Sequence, residues 1–282
     1  MLDIDRRLQR IVSNLWFEWN ADVHGLLQSI VPDARAPYQG NWYRLFKLKN
    51  QGPSPFRERI ASLVSNSEFV RLVKRAEESF HSYMKPQETY LLKHYPELGG
   101  RTVAYFSMEY GIDMLRIYSG GLGILSGDYL RGSSDLGLNV VGVGLFYLEG
   151  YYEQQVSSEG TMKVKYESLV PPVQTVQDYL PLESLKRSGT DADLVMDVPL
   201  GGRSVKVRVW RARIGRNDLI LLDSNLPENR AQDRHLTRRL YASQKHRDEE
   251  RKQRLEQELV LGIGGVKALD EAGYSPSVYH FN

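Results

Sequence analysis

The stretch from Gly99 to Leu148 limits what this chain can fold into more than any other. It contains "GGRTVAYFSMEYG", "IYSGGLGILSGDYL" and "NVVGVGLFYL", two apolar runs separated by a glycine cluster and a helix-forming segment. Gly99 and Gly100 punctuate the start, and 103–108 is short and apolar enough for a buried strand. The pattern then predicts a helix from about Gly121 to Leu136 and a second buried strand over 139–148. Strand, glycine turn, helix and strand in that order make a βαβ unit, and its crossover implies a parallel pair.

On the N-terminal side the chain reads as helical. Ile4, Leu8, Ile11, Val12, Leu15 and Trp16 recur at helical spacing, and Asn20 with Asp22 breaks the pattern before "VHGLLQSIV". Residues 66–84 predict an amphipathic helix with Ser67 as N-cap and a stripe of Phe69, Leu72, Val73, Ala76 and Phe80. Between them "KNQGPSPF" (49–56) is rich in turn residues and reads as a linker. We therefore expect a helical segment over 1–98 and an α/β domain over 99–282.

Beyond the βαβ unit, 150–226 reads as a mainly β insertion. "RSVKVRVWRARI" (203–214) sets Val205, Val207, Val209 and Ala212 against Lys206, Arg208 and Arg211, the alternation of a strand with one wet face. A turn at 215–217 leads to "DLILLD", completing a hairpin. Residues 231–272 return to helix, with the charged run 246–258 as a solvated face. The closing "SPSVYHFN" starts a strand of parallel type and stops, which reads as a chain cut short or a domain excised.

The glycine cluster carries the chemistry. The first amides of a helix have no partner within it and bear partial positive charge, so they suit an anion that can approach closely. Gly120, Gly121 and Gly123 provide that approach, although a tight turn or a packing point needs glycines equally. The cluster is neither a Walker loop nor a dinucleotide fingerprint. Tyr105, Ser107 and Glu109 fall at the end of the preceding strand, where α/β sheets place ligands. Lys+Arg of 37 against Asp+Glu of 35 argues against nucleic acid or an anionic membrane as a partner held by bulk charge. Without cysteine there is no disulfide framework, and the N-terminus lacks a signal peptide's apolar core. A cytoplasmic protein with no metal site is the expectation.

"VAYFSMEYGI", "IYSGGLGILSGDYLRGSSDLGLNVVGVGLFYLEGYYEQ", "LLDSNLPENRAQDRHLTRRLY" and "RLEQELVLGIGGVKAL" together resemble the α-glucan (glycogen/starch) phosphorylases. The likeness is to the bacterial branch, whose extra N-terminal segment "RIVSNLWFEWN" matches. The resemblance implies the N-terminal Rossmann-like half of a two-domain GT-B glycosyltransferase. Its reaction is phosphorolysis of terminal α-1,4-glucosidic bonds to glucose 1-phosphate. The partners it implies are α-1,4-glucan and inorganic phosphate, with a possible homodimer, and the cofactor is pyridoxal 5′-phosphate, used through its own phosphate.

Carried over by position, Gly120, Gly121, Leu122 and Gly123 match the loop lining the glucosyl-phosphate site. Tyr105 matches an aromatic near the cofactor ring and reads equally as a core residue. Asp223 and Asn225 align near a loop that gates the substrate, or form a plain turn after a strand, and His280 matches a position near the site. The cofactor's lysine and the residues holding both phosphates match nothing in this chain, so no catalytic residue is assigned and the chain alone is expected to be inactive. Two departures stand out. The connection before Ile117 is about one residue short, with Arg116 where the family has proline, and "ASQKHRDEERKQ" (242–253) replaces a glycine-rich turn. Two other readings stay open. One is a non-catalytic glucan-binding or regulatory protein. The other is a nucleotide-sugar synthase, whose loop would carry lysine where Tyr118 stands.

Overall fold

The computed structural model describes residues 2–30, 42–43, 55–172, 175–241 and 247–282. The predicted βαβ unit is present. Strand β1 (Val103–Phe106) leads through a loop into helix α6 (Gly121–Leu136) and then β2 (Val140–Leu145), paired parallel with β1 from Val103 opposite Val140. Both strands stop short of their sequence limits, because residues 107–108 and 146–148 turn away at the carboxyl edge.

The rest of the sheet grows from this pair in both directions. β8 (Asn217–Asp223) runs parallel to β2, and β9 (Val278–Phe281) runs parallel to β1 on its other side. The long β7 (Arg203–Ile214) joins β8 by a tight antiparallel hairpin, and its outer edge takes β5 (Leu182–Ser184) and β6 (Val195–Leu200) in succession. Seven strands result, in the order β5/β6, β7, β8, β2, β1, β9. A separate ribbon of β3 (Glu153–Val156) and β4 (Met162–Lys165) stands apart from this sheet. The order reverses between β1 and β9, which in open α/β sheets is where a crevice opens.

Side-chain parity separates the two faces of the sheet. Leu219 and the backbone of Gly142 lie against Leu130 of α6. Phe106 and Val143 point the other way, against the backbone of Gly265. That far face is covered by α7 (Arg247–Leu259), a π-helical turn at Val260–Gly264 and α8 (Gly265–Glu271). Helices on both faces of a mixed sheet, with three parallel and three antiparallel pairings, make a mixed α/β fold broadly of the Rossmann-like kind.

The helical segment forms one core with the sheet. In it α1 (Leu2–Val12), a 3₁₀ turn (Leu15–Trp19), α2 (Ala21–Ile30), α3 (Pro55–Leu63), α4 (Ser67–Tyr83) and α5 (Tyr90–His94) follow in order. Trp16 meets Phe80 with ring centroids 5.4 Å apart. Asn14 grips the β7–β8 hairpin in both directions, donating to the Gly215 carbonyl and accepting from its amide, each at 2.9 Å. Arg216 of the same hairpin lies over the Tyr83 ring at 3.9 Å and donates to the Tyr83 carbonyl.

Several sequence readings change. Asn66, not Ser67, caps α4: its Oδ1 accepts from the amides of Glu68 at 2.9 Å and Phe69 at 3.3 Å. Asparagine and serine cap equally well, so only geometry chooses between neighbours. Pro55 and Phe56 open α3 rather than ending a linker, as proline can at a first helical turn; residues 49–54 lie outside the described residues. Ala212 lies by parity on the opposite face from Val209, because the buried parity switches where β7 passes from β6 to β5: Val205, Val207 and Val209 are buried before it, and Trp210, Ala212 and Ile214 after it. The helix expected over 231–272 is broken into Ala231–Arg234, α7, the π turn and α8, with 242–246 outside the described residues.

Candidate functional site

The carboxyl end of β1 meets the first turn of α6, and Glu109 decides what is available there. Its side chain is 2% exposed and folds back beneath the glycine loop. The carboxylate accepts from the Ser119 amide at 2.8 Å and the Gly120 amide at 3.4 Å. Tyr241 closes the arrangement from the other side, its hydroxyl donating to Glu109 Oε1. A negative group at a helix N-terminus is favourable in itself, so this contact holds the loop in place.

The amides of Gly121, Leu122 and Gly123, the first three of α6, remain the helix's orphan donors. A Cβ built on Gly120 or Gly121 would meet nothing within 4 Å. On Gly123 it would run into Tyr118 Cβ and lie 3.0 Å from Glu109 Oε2, and on Gly127 it would lie 2.5 Å from the Gly111 carbonyl oxygen. Gly120, Gly121 and Gly123 are all absent from the residues with positive φ. The glycines therefore supply space, not left-handed backbone. Gly123 and Gly127 let the 109–111 strand end pack against the helix, while Gly120 and Gly121 leave its mouth bare.

Buried hydroxyls line the inner wall. Ser126 donates to Ser107 Oγ at 2.8 Å and lies 3.5 Å from the Tyr105 hydroxyl. Asn282 reaches Ser126 at 3.1 Å. Tyr105 is 2% exposed, stacked on Tyr129 at 4.5 Å between centroids, with His280 edge-on at 5.0 Å. Tyr105 and His280 are also register partners across the β1–β9 switch point. The fully buried Tyr110 stitches β1 to β2, donating to the Tyr105 carbonyl at 2.5 Å and accepting from the Val143 amide at 3.1 Å. Burial pushes its hydroxyl well above the usual tyrosine range.

Asp223 and Asn225 sit at the carboxyl end of β8, at the same edge of the sheet. There the polar groups are consumed. Asp223 accepts from the Asn225 amide at 2.8 Å and from Trp210 Nε1 at 3.1 Å. Burial pushes its carboxyl up, against the lowering pull of those donors. The Asn225 side chain takes Arg234 at 3.3 Å. Arg238 and Arg239 both bind Glu149, and their hydrogen bonds overcome its burial to hold its carboxyl low.

Chemically, the first corner offers convergent backbone donors, a bare approach and a fixed carboxylate. That combination can receive an anion or a charge that develops during reaction. Among the described residues no group of three or more metal-ligating side chains occurs. No described helix is long and apolar enough to cross a membrane.

Comparison with known proteins shows the family. A family model described as "Protein of unknown function (DUF3417)" matches residues 5–115, the helical segment and β1. The maltodextrin phosphorylase of Thermococcus litoralis is 33% identical over 270 residues, 95% of this chain and 30% of that protein. The glycogen phosphorylase of Mycobacterium tuberculosis is 32% identical over 286 residues, 98% of this chain and 31% of that protein. This chain is a homologue of the α-glucan phosphorylases. The glycogen phosphorylase of Aquifex aeolicus matches at 31% identity over 98% of the chain and 36% of its own length. The chain thus spans about a third of the length of these phosphorylase relatives.

Against that relationship the expected pyridoxal phosphate can be tested on the residues present. They do not build its site by themselves. Tyr105 is enclosed by Tyr129, Tyr110 and His280. Lys165, Lys186, Lys206 and Lys267 are engaged elsewhere, with Glu167, Asp193 and Asp197. Arg116 stands where the resemblance leads us to expect proline. Its φ of 49° lies in the left-handed region, which proline cannot enter. Sequence reasoning placed Glu109 at the strand end without seeing that it binds the loop ten residues further on, and Tyr241 was missed. A glutamate just past a strand and a tyrosine 132 residues later carry no spacing signal.

Proposed function

We propose that this chain forms the glucosyl-phosphate wall of an α-glucan phosphorylase, a GT-B hexosyltransferase acting on α-1,4-glucan and inorganic phosphate. One observation carries the reading: the amides of Gly121, Leu122 and Gly123 are unspent, the space over Gly120 and Gly121 is open, and Glu109 fixes the loop from below. Backbone donors held this way suit the phosphate and glucosyl oxygens where charge builds in the transition state. His280, at the β1–β9 switch point, faces the same corner as Tyr105 and Ser126. Asp223 and Asn225 shape the neighbouring corner, and their saturated hydrogen bonds favour a framework role over direct contact.

The cofactor's chemistry belongs to residues outside this set, so the chain contributes part of a site and is inactive alone. The test is titration with glucose 1-phosphate by calorimetry, beside an assay for glucose 1-phosphate release from maltodextrin and phosphate. Binding without turnover, weakened about tenfold or more in Gly121→Ala, is the expected result. Turnover by this chain alone would overturn the partial-site reading. Affinity for a nucleoside diphosphate glucose in place of glucose 1-phosphate would point to a synthase-type transferase. Glucan retention with no phosphate-ester binding would favour a non-catalytic glucan-binding protein.

A further inference from the structure

The helical segment meets α6, the helix that carries the glycine loop, through a buried carboxylate as well as through apolar packing. Glu18 sits in the 3₁₀ turn Leu15–Trp19, and its side chain is 5% exposed. Its Oε1 accepts from the Met114 amide at 2.8 Å. Its Oε2 accepts from the Asp113 amide at 3.3 Å and from Arg131 Nη2 at 3.2 Å. Arg131 belongs to α6, so one side chain ties together the helical segment, the 110–117 loop and the helix. A carboxylate so enclosed needs all of these partners, because a buried charge left unpaired is costly.

Further contacts carry the tie onward to the glycine loop. The Gly111 amide donates to the Gly123 carbonyl at 2.7 Å, and the Tyr118 hydroxyl donates to Asp113 Oδ1 at 3.1 Å. Between these points Ile112 and Leu115 are fully buried, which leaves the loop little room to shift. The body of α6 is gripped as well. Trp19 Nε1 donates to Asp135 at 3.2 Å, and the Tyr83 hydroxyl donates to the same carboxylate at 2.7 Å. Arg131 and Asp135 are four residues apart, so they share one face of the helix. The helical segment thus holds α6 along its length and, through residues 111–113, at its first turn. The amides of Gly121, Leu122 and Gly123 can serve one anion only if they point to one place, within about 0.5 Å of the productive geometry.

We propose that Glu18 is a positioning residue for the glycine loop. Through it the helical segment clamps the 110–117 loop against α6 and sets the aim of the unspent amides. The inference rests on the anion reading of that corner and extends it to a residue that touches no ligand. It also gives the helical segment a task in the site, beyond adding to the core.

Hydrogen exchange read by mass spectrometry on the full chain, with no ligand present, tests the clamp. Calorimetry with glucose 1-phosphate tests its consequence. Glu18→Gln keeps the shape of the side chain and removes its charge. Arg131→Met removes the cation but keeps a good helix former, and it decides alone if Glu18→Gln does not fold. Glu77→Gln is the control, since Glu77 pairs with Arg7 and Arg10 inside the helical segment. Thermal melts confirm folding. The 117–123 amides are expected to exchange about tenfold faster in Glu18→Gln and Arg131→Met, as loss of a charge-assisted hydrogen bond would allow, and at the parental rate in Glu77→Gln. Glucose 1-phosphate affinity should fall about fivefold or more in the first two variants and hold in the control. Parental exchange in the folded clamp variants would overturn the proposal. So would equal acceleration in Glu77→Gln, which marks a general loosening. Faster exchange with undiminished glucose 1-phosphate affinity would overturn the positioning role. A parent chain that binds no glucose 1-phosphate would instead sink the anion reading, and the exchange rates would still decide whether Glu18 holds the loop.

Discussion

Two corners at the carboxyl edge of one sheet are wired in opposite ways. After β1, the loop and first turn of α6 spend one carboxylate on two amides and leave three more amides unclaimed. After β8, Asp223, Asn225, Arg234 and Thr237 spend nearly everything on each other. Both are polar turns following buried strands, and both were read from sequence as binding positions. Placement at the productive edge of a sheet is therefore only half of a site. The other half is capacity left over after the protein has satisfied itself.

That contrast can be attacked by mutation. The largest effect is expected from Gly127→Ala, which forces a methyl into the Gly111 carbonyl. Urea unfolding should show a loss of up to about 3 kcal/mol, the range for overpacking. Next comes Asp223→Ala, which orphans Trp210 Nε1 and the Asn225 amide. A loss of about 2 kcal/mol is expected from two stranded donors, with glucose 1-phosphate affinity unmoved. If affinity falls before stability does, the β8 corner is a ligand site and the contrast collapses.

Gly121→Ala sharpens the contrast from the other side. Nothing stands where its methyl would go, and alanine favours helix, so stability should hold or rise by up to about 1 kcal/mol. Glucose 1-phosphate affinity should nevertheless drop about tenfold or more as the approach is blocked. A variant that melts early but binds normally would show the bare mouth to be a packing feature.

The smallest effect is a pH dependence at the saturated corner. Burial, and then the charges of Arg238 and Arg234, hold His235 below the usual histidine range. The native state therefore binds fewer protons than the unfolded chain in the window below about pH 6.5, and stability falls as pH falls through it. His235→Asn should flatten that slope in melts taken between about pH 7 and pH 5.

Much of this architecture could be read directly. Helix α6 begins and ends where the glycines and the apolar pattern put it, with Gly137 at φ 79° closing it as a left-handed C-cap. The hairpin at Gly215 and the parallel β9 were equally plain, since each depends on local chemistry or simple periodicity. What stayed hidden depends on meetings between distant residues. Whether Asn66 or Ser67 caps α4, which face Ala212 joins, and where the 231–272 helix breaks are all settled by packing. At the site, the glycines announced an approach path. Their division into open and closed pairs follows from Glu109, Tyr118 and Gly111, which no periodic pattern could have positioned there.

The pairing of β1 with β9 has a consequence in time. Val103 lies beside Val278, so about 175 residues must be made after β1 before its outer neighbour exists. At ~5–20 residues per second that is roughly 10–35 s of synthesis. Throughout it one edge of β1 offers unpaired backbone groups to any passing strand, and the ring of Tyr105 lacks its covering histidine. The corner proposed to receive the anion is thus sheltered well after the β1–β2 pair from which it grows.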